Sequence, residues 1–164
     1  MNPIKIQQNF NIKTEKTDGE NTIVTGELTC CNAHNFEVSI VGEVKQRLFS
    51  KPCVYPENNR IVFEVKCKKC GKVITVFDSV CDGYDNVAEN PIKNPKPFKT
   101  NIFNCKKCSD SNFSVEIKYE YPNIQELKDL GIVDIDNAFT WVWITIRCNK
   151  CNKIFRNFID FETA

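Results

Sequence analysis

The sequence predicts a mainly β protein built as two tandem antiparallel β domains, with one short helix in the second. Three observations carry this. Short runs of alternating apolar and polar residues recur along the chain, separated by turn residues, which is the period of half-buried strands. Three C-x-x-C pairs and one adjacent pair, Cys30-Cys31, sit at the ends of those runs. The plan of residues 1–89 then starts again at residue 98, after a stretch that holds three prolines between residues 90 and 97.

The composition supports a folded chain. Of 164 residues, 41% are hydrophobic and 26% charged, with 12 phenylalanines, which excludes disorder of the whole. Two halves of about 80 residues each are small enough for a metal or disulfides to supplement the core. The N-terminal stretch from Met1 to Phe10 has no apolar signal core, and no run of about 18 apolar residues could span a membrane. A cytoplasmic location without membrane association is therefore expected. In a reducing compartment, clustered cysteines read as metal ligands rather than disulfides.

Taken in order, residues 1–20 are polar and weakly patterned, with a turn signal at Asp18-Gly19. Thr22 to Leu28 reads as a strand running into Cys30-Cys31, and Phe36 to Val41 as its return. Lys51 to Asn59 reads as loop, with two prolines and paired asparagines. Ile61 to Lys66 is a strand ending at Cys67-Lys68-Lys69-Cys70-Gly71, and Lys72 to Asp78 leaves that knuckle as a fourth strand. Residues 90–97 form a semi-rigid linker. Phe98 to Asn104 leads into Cys105-Lys106-Lys107-Cys108, and Phe113 to Glu120 shows the cleanest alternation of the chain. Pro122 to Gly131 predicts a short helix, with Asn123 as N-cap and Gly131 as terminator. Ala138 to Arg147 is a strand into Cys148-Asn149-Lys150-Cys151, and Ile154 to Phe161 leaves it.

The two halves overlay. Val62 to Cys70 matches Trp143 to Cys151, and Cys31 with Asn35-Phe36 matches Cys108 with Asn112-Phe113, a period of about 80 residues that reads as a duplicated domain. Cys105, Cys108, Cys148 and Cys151 then form one four-thiolate site. Zinc fits it, because a d¹⁰ ion imposes no geometry and four sulfurs at about 2.3 Å close a tetrahedral structural shell. Such a shell leaves no position for a catalytic water.

The first half departs from this pattern, since Leu28 stands where Cys105 stands in the second. Cys31, Cys67 and Cys70 supply three ligands there, and the fourth is Cys30, His34 or Cys81. Cys30 is favoured because a Cys₄ shell would repeat the second site. Two zinc ions are expected in all.

On these knuckles each half resembles a zinc-ribbon (zinc β-ribbon) domain, a likeness of motif and strand order that implies a fold type and a metal but no particular partner. The chain also resembles uncharacterised bacterial proteins with a Cys-Cys pair, a later C-x-x-C-G and a Phe-Asp-Ser…Asp-Gly-Tyr loop, here Phe77-Asp78-Ser79 and Asp82-Gly83-Tyr84.

Other features bear on function. The loop with Asp78, Ser79, Asp82, Gly83 and Tyr84 reads as a turn-rich connection or a recognition loop. Trp141 and Trp143 share one face of their strand and Val142, Ile144 and Ile146 the other, which predicts burial on both faces. Cys53 reads as an unliganded thiol. His34 is the sole histidine, so no triad of nucleophile, base and orienting acid can be assembled, and no enzyme is expected. The formal charge of +1 falls to about −3 once eight cysteines are thiolates holding two zinc ions, no footprint for nucleic acid. The knuckle lysines serve to offset the tetrathiolate charge. The reading is a protein-interaction module with structural zinc. Its rivals are a nucleic-acid-binding ribbon and, with less support, a thiol redox protein.

Overall fold

Asp18 and Gly19 make the tip of a hairpin. Strand β1 (Phe10–Asp18) runs antiparallel to β2 (Asn21–Leu28), from Asp18 opposite Asn21 down to Phe10 opposite Leu28, and Gly19 takes a φ of +64°. The computed structural model describes residues 2–46, 51–89 and 92–164. β1 is a strand the sequence did not announce, because as a sheet edge it has every residue but Phe10 exposed and nothing enforces alternation on it. β2 is legible because Val24, Gly26 and Leu28 face the core. A 3-10 helix, Ile4–Asn9, precedes β1.

The first half continues with β3 (Phe36–Val41), β4 (Glu43–Lys45), β5 (Cys53–Tyr55), β6 (Val62–Cys67) and β7 (Val73–Asp78). The expected loop at 51–59 thus contains a strand: β5 pairs with β4 in a separate two-stranded sheet, anchored by the buried Val54. Asn58 and Asn59 both have positive φ and close the tight turn between Glu57 and Arg60. A π-helical turn covers Asp85–Glu89. Of the expected linker, residues 90 and 91 lie outside the described residues, and 92–97 are exposed and without regular structure.

The second half supplies β8 (Asn101–Ile102), β9 (Asn112–Tyr121), α1 (Ile124–Asp129), β10 (Trp141–Cys148) and β11 (Ile154–Glu162). The helix has the predicted ends. Asn123 Oδ1 accepts from Gln125 N at 2.9 Å, and Gly131 has a φ of +71°.

The sheet crosses the expected boundary between 1–89 and 98–164. β9 pairs along its length with β10, and its other edge is shared by β2, from Thr22–Tyr121 to Glu27–Glu116, and β3, at Phe36–Phe113. From β3 the sheet runs on to β6 and β7, from β2 to β1, and from β10 to β11. All of these pairings are antiparallel. One hydrophobic core draws on both halves, including Val24, Phe36, Phe63 and Phe77 from the first and Phe113, Tyr119, Ile144 and Phe158 from the second.

The two halves also repeat a register. Phe36 stands opposite Cys67 as Phe113 stands opposite Cys148, and Lys66 faces Val73 as Arg147 faces Ile154. In each half the last residue of one strand is a cysteine, held where the partner strand begins. This places the knuckles.

Candidate metal centres

The three C-x-x-C knuckles are one turn built three times. Cys67 N donates to Lys72 O, Cys105 N to Asp110 O and Cys148 N to Lys153 O, at 2.8, 2.8 and 2.9 Å. Gly71 N, Ser109 N and Asn152 N each donate back to the carbonyl of the first cysteine, and those three residues have φ of +76°, +61° and +59°. The left-handed residue after the second cysteine reverses the chain so that both sulfurs point to one side.

The fourth corner differs. Cys30 N donates to Ala33 O and Ala33 N to Cys30 O, both at 3.0 Å, with Cys31 and Asn32 each at φ +56°. This is a two-residue hairpin turn of the I′ kind, which needs two consecutive positive φ values. It explains the departure from C-x-x-C, because a turn this short carries its second thiol on the residue next to the first. Cys31 adopts a backbone region that side chains other than Gly, Asn and Asp rarely take.

Each set of four sulfurs converges. Within Cys30, Cys31, Cys67 and Cys70, and within Cys105, Cys108, Cys148 and Cys151, all ligand atoms lie within 4.8 Å of one another. Sulfurs at 2.3 Å from a tetrahedral ion stand about 3.8 Å apart. The structure gives 3.8 Å for Cys30–Cys31, 3.5 Å for Cys30–Cys70, 3.6 Å for Cys105–Cys151 and 3.5 Å for Cys108–Cys148. Both tetrads could hold a metal ion. They differ in cover: Cys31 and Cys70 are exposed in the first, whereas Cys108 and Cys151 are half-buried in the second.

Their electrostatics show why a cation suits them. The Lys72 N–H lowers the Cys70 thiol to about 7, helped by its three neighbours, and the Lys153 N–H does the same for Cys151, against burial. Burial first, then the thiols of Cys70, Cys67 and Cys31, pushes Cys30 up to about 12. At Cys108 the Asp110 N–H pulls downward, but burial and the other three thiols carry it up to about 12. Cys31 is raised as well, by the Cys70 thiol before other causes. One thiol per tetrad ionises easily and then holds others protonated, so a divalent ion is what would let all four ionise together.

The alternatives for the fourth ligand stand elsewhere. His34 Nδ1 lies 3.0 Å from Leu28 O, and Cys81 Sγ lies 3.4 Å from Asp78 Oδ2, its thiol pushed up to about 11 by burial and then by Asp78. Neither belongs to a tetrad. Cys53 is half-buried, apart from both.

The loop at 78–84 turns its polar groups inward. Asp78 and Asp82 are 4% and 3% exposed and Gly83 is buried. Arg60 grips Asp78 with Nε to Oδ1 at 3.0 Å and Nη2 to Oδ2 at 2.6 Å, and Asp82 pairs with Lys5 and accepts from Asp78 N at 2.7 Å. Ser79 Oγ accepts from Ile61 N at 2.9 Å, and Tyr84 N donates to Phe139 O at 2.8 Å. A side chain at Gly83 would start 2.3 Å from Thr163 Cβ. Apart from the Asp78–Asp82 bond, which lies within the loop, these interactions tie it to the body of the protein.

Trp141 and Trp143 depart from the expected two-sided burial. Val142, Ile144 and Ile146 are in the core, but the indoles are only half-buried on the opposite face. They stack at 5.4 Å with planes 7° apart, Lys118 Nζ sits 4.2 Å from the Trp143 ring, and Trp141 Nε1 donates to Asp160 Oδ1 at 2.7 Å. Partly exposed stacking satisfies the rings without a second layer.

Sequence spacing missed Asn149. Its Nδ2 lies 3.1 Å from His34 O, 3.2 Å from Asn35 Oδ1 and 2.9 Å from Asn112 Oδ1, so one knuckle residue of the second tetrad braces the connection that leaves the first. A groove of about 340 Å³ opens beside it, lined by Arg147, Arg156, Glu116 and Thr145 among others. No linear signal joins His34 to Asn149. Among the described residues no helix is long and apolar enough to cross a membrane.

No protein-family model, curated protein or solved structure matches the chain.

Proposed function

We propose that the chain is a zinc protein holding two structural zinc ions, each in a tetrathiolate shell, and that it acts as a protein-interaction module. The observation that carries the metal is the convergence of two sets of four sulfurs, with spacings of 3.5–3.8 Å against the 3.8 Å or so of a zinc tetrathiolate. The common register of the β3–β6 and β9–β10 pairs supports reading the chain as a duplication of one zinc-ribbon-like unit. In that reading zinc fixes the hairpin tips from which the central strands are hung.

The interaction surface is the outer face of β9, β10 and β11. It carries Trp141, Trp143, Arg147 and Arg156, the residue types that dominate protein–protein hot spots. Glu116, Glu120, Asp160 and Glu162 are interspersed, and that mixture favours a protein over a polyanion.

The test is elemental analysis of chain purified without added metal, with reactive thiols counted before and after chelation. About two zinc ions per chain, and eight thiols that become reactive only on chelation, are expected. Iron in place of zinc would overturn the assignment of the ion, and no metal at all would revive thiol redox chemistry. Binding that weakens steeply with salt would turn the partner from protein to nucleic acid.

A further inference from the structure

We propose that the Cys30/Cys31/Cys67/Cys70 centre is an exchangeable metal site, open to competing thiols and chelators, while the Cys105/Cys108/Cys148/Cys151 centre keeps its ion as long as the chain is folded. This deepens the metal-binding reading above and rests on it. Two independent differences between the tetrads carry the inference.

The first is access. Two of the four sulfurs in the first tetrad, on Cys31 and Cys70, belong to exposed residues, but no ligand residue of the second is exposed. Protons and chelators compete with the ion for its thiolates, so two reachable sulfurs are two points of entry.

The second is the turn. In the second tetrad both corners are C-x-x-C knuckles, whose left-handed positions fall on Ser109 and Asn152, outside the ligand set. In the first, the Cys67–Cys70 corner likewise uses Gly71, but at the Cys30–Ala33 corner one of the two left-handed positions falls on a ligand, Cys31 at φ +56°. The strain of that turn, held by the Cys30–Ala33 hydrogen bonds, therefore sits on a metal ligand rather than on a neighbouring residue.

Exchange would be felt at a defined place. The segment that leaves the Cys30–Ala33 turn includes His34, whose carbonyl accepts from Asn149 in the second knuckle. Occupancy of the first centre therefore bears on the groove beside Arg147 and Arg156 while the second centre stays closed.

The experiment loads the full chain with zinc to two ions per chain and mixes it with excess EDTA. Retained zinc is followed by elemental analysis of desalted samples, and freed cysteines are trapped with iodoacetamide and located by mass spectrometry. One zinc is expected to leave about tenfold faster than the other, with Cys31 and Cys70 labelled in that phase and Cys105, Cys108, Cys148 and Cys151 protected. Cys31→Ser, a second probe, should remove the fast phase and leave one slowly released ion. Release of both ions in a single phase, or first labelling at the Cys105 centre, would overturn the inference. A chain that never takes up zinc would overturn the metal-binding reading and the inference together.

Discussion

The two tetrads contain the same four thiols on the same β scaffold, yet their corners are built differently. At Cys105–Cys108 and Cys148–Cys151 the strained backbone is carried by Ser109 and Asn152, and all four cysteines are at least half-buried. At Cys30–Cys31 the strain is carried by a ligand, and two of the four cysteines are exposed. The difference teaches that ligand count alone does not rank metal sites. What matters is which residue carries the conformational cost of the turn, and how far the ligand cysteines are exposed.

The largest expected effect breaks the comparison outright. Cys148→Ser removes a ligand from the tetrad that has no exposed cysteine and should cost the chain more than about 4 kcal/mol, enough to prevent folding of most molecules, because structural zinc binding is folding free energy. Cys67→Ser, the equivalent change at the first centre, should leave the β9–β10–β11 region folded. Heat or urea denaturation of the two variants, with zinc content alongside, separates them, and equal losses would mean that the centres are equivalent.

Next come the two phenylalanines that meet where the halves join. Phe36 and Phe113 are both 0% exposed and are paired with each other across β3 and β9. Truncation of either to alanine should cost about 3–5 kcal/mol. A much smaller cost at Phe36 would show that the first half docks only loosely on the second.

The pH dependence sharpens the comparison differently. Cys70 and Cys151 are each lowered to about 7, and Cys30 and Cys108 are each raised to about 12. Zinc requires thiolates, so protons compete with it, and affinity at both centres rises with pH and falls as pH drops through 7 and below. The two matching pairs keep the unloading ranges close in an equilibrium titration, and the raised Cys31 makes the first centre's range the higher of the two. A gap of more than about one pH unit would show that proton competition, and not access, separates them.

The smallest effect falls on the bridge between the centres. Asn149→Ala removes the bonds to His34 O, Asn35 Oδ1 and Asn112 Oδ1 on an exposed residue and should cost about 1 kcal/mol. It should leave zinc content at two per chain while changing the rate at which the first ion exchanges.

Much of this arrangement was legible in the sequence for a physical reason. Strands with one face in the core, such as Phe113 to Tyr121, must alternate, and a C-x-x-C at a strand end leaves few other structures open to it. α1 was legible from Asn123 and Gly131 because caps are local chemistry. What was illegible depended on distant partners. β1 has no buried face to impose a pattern, so only its Asp18-Gly19 turn showed. The pairing of β2 with β9 joins residues almost 100 positions apart, as Asn21 and Glu120 do through a 3.1 Å hydrogen bond, and no local signal encodes it. The loop with Asp78 and Asp82 reads in sequence as a turn-rich connection or a recognition loop, and its ion pairs are illegible there because the counter-charges, Arg60 and Lys5, lie far off in sequence. The choice of Cys30 over His34 followed from the symmetry of the two sites. The I′ turn that brings Cys30 and Cys31 together needs backbone angles to be seen.

The most direct test of the central claim is zinc K-edge X-ray absorption on the fully loaded chain. Two tetrathiolate centres predict a single first shell of four sulfurs at about 2.3 Å, with no nitrogen or oxygen contribution. A shell averaging three sulfurs or fewer, with a light atom at about 2.0 Å, would contradict the account by placing His34, a carboxylate or water on one of the ions.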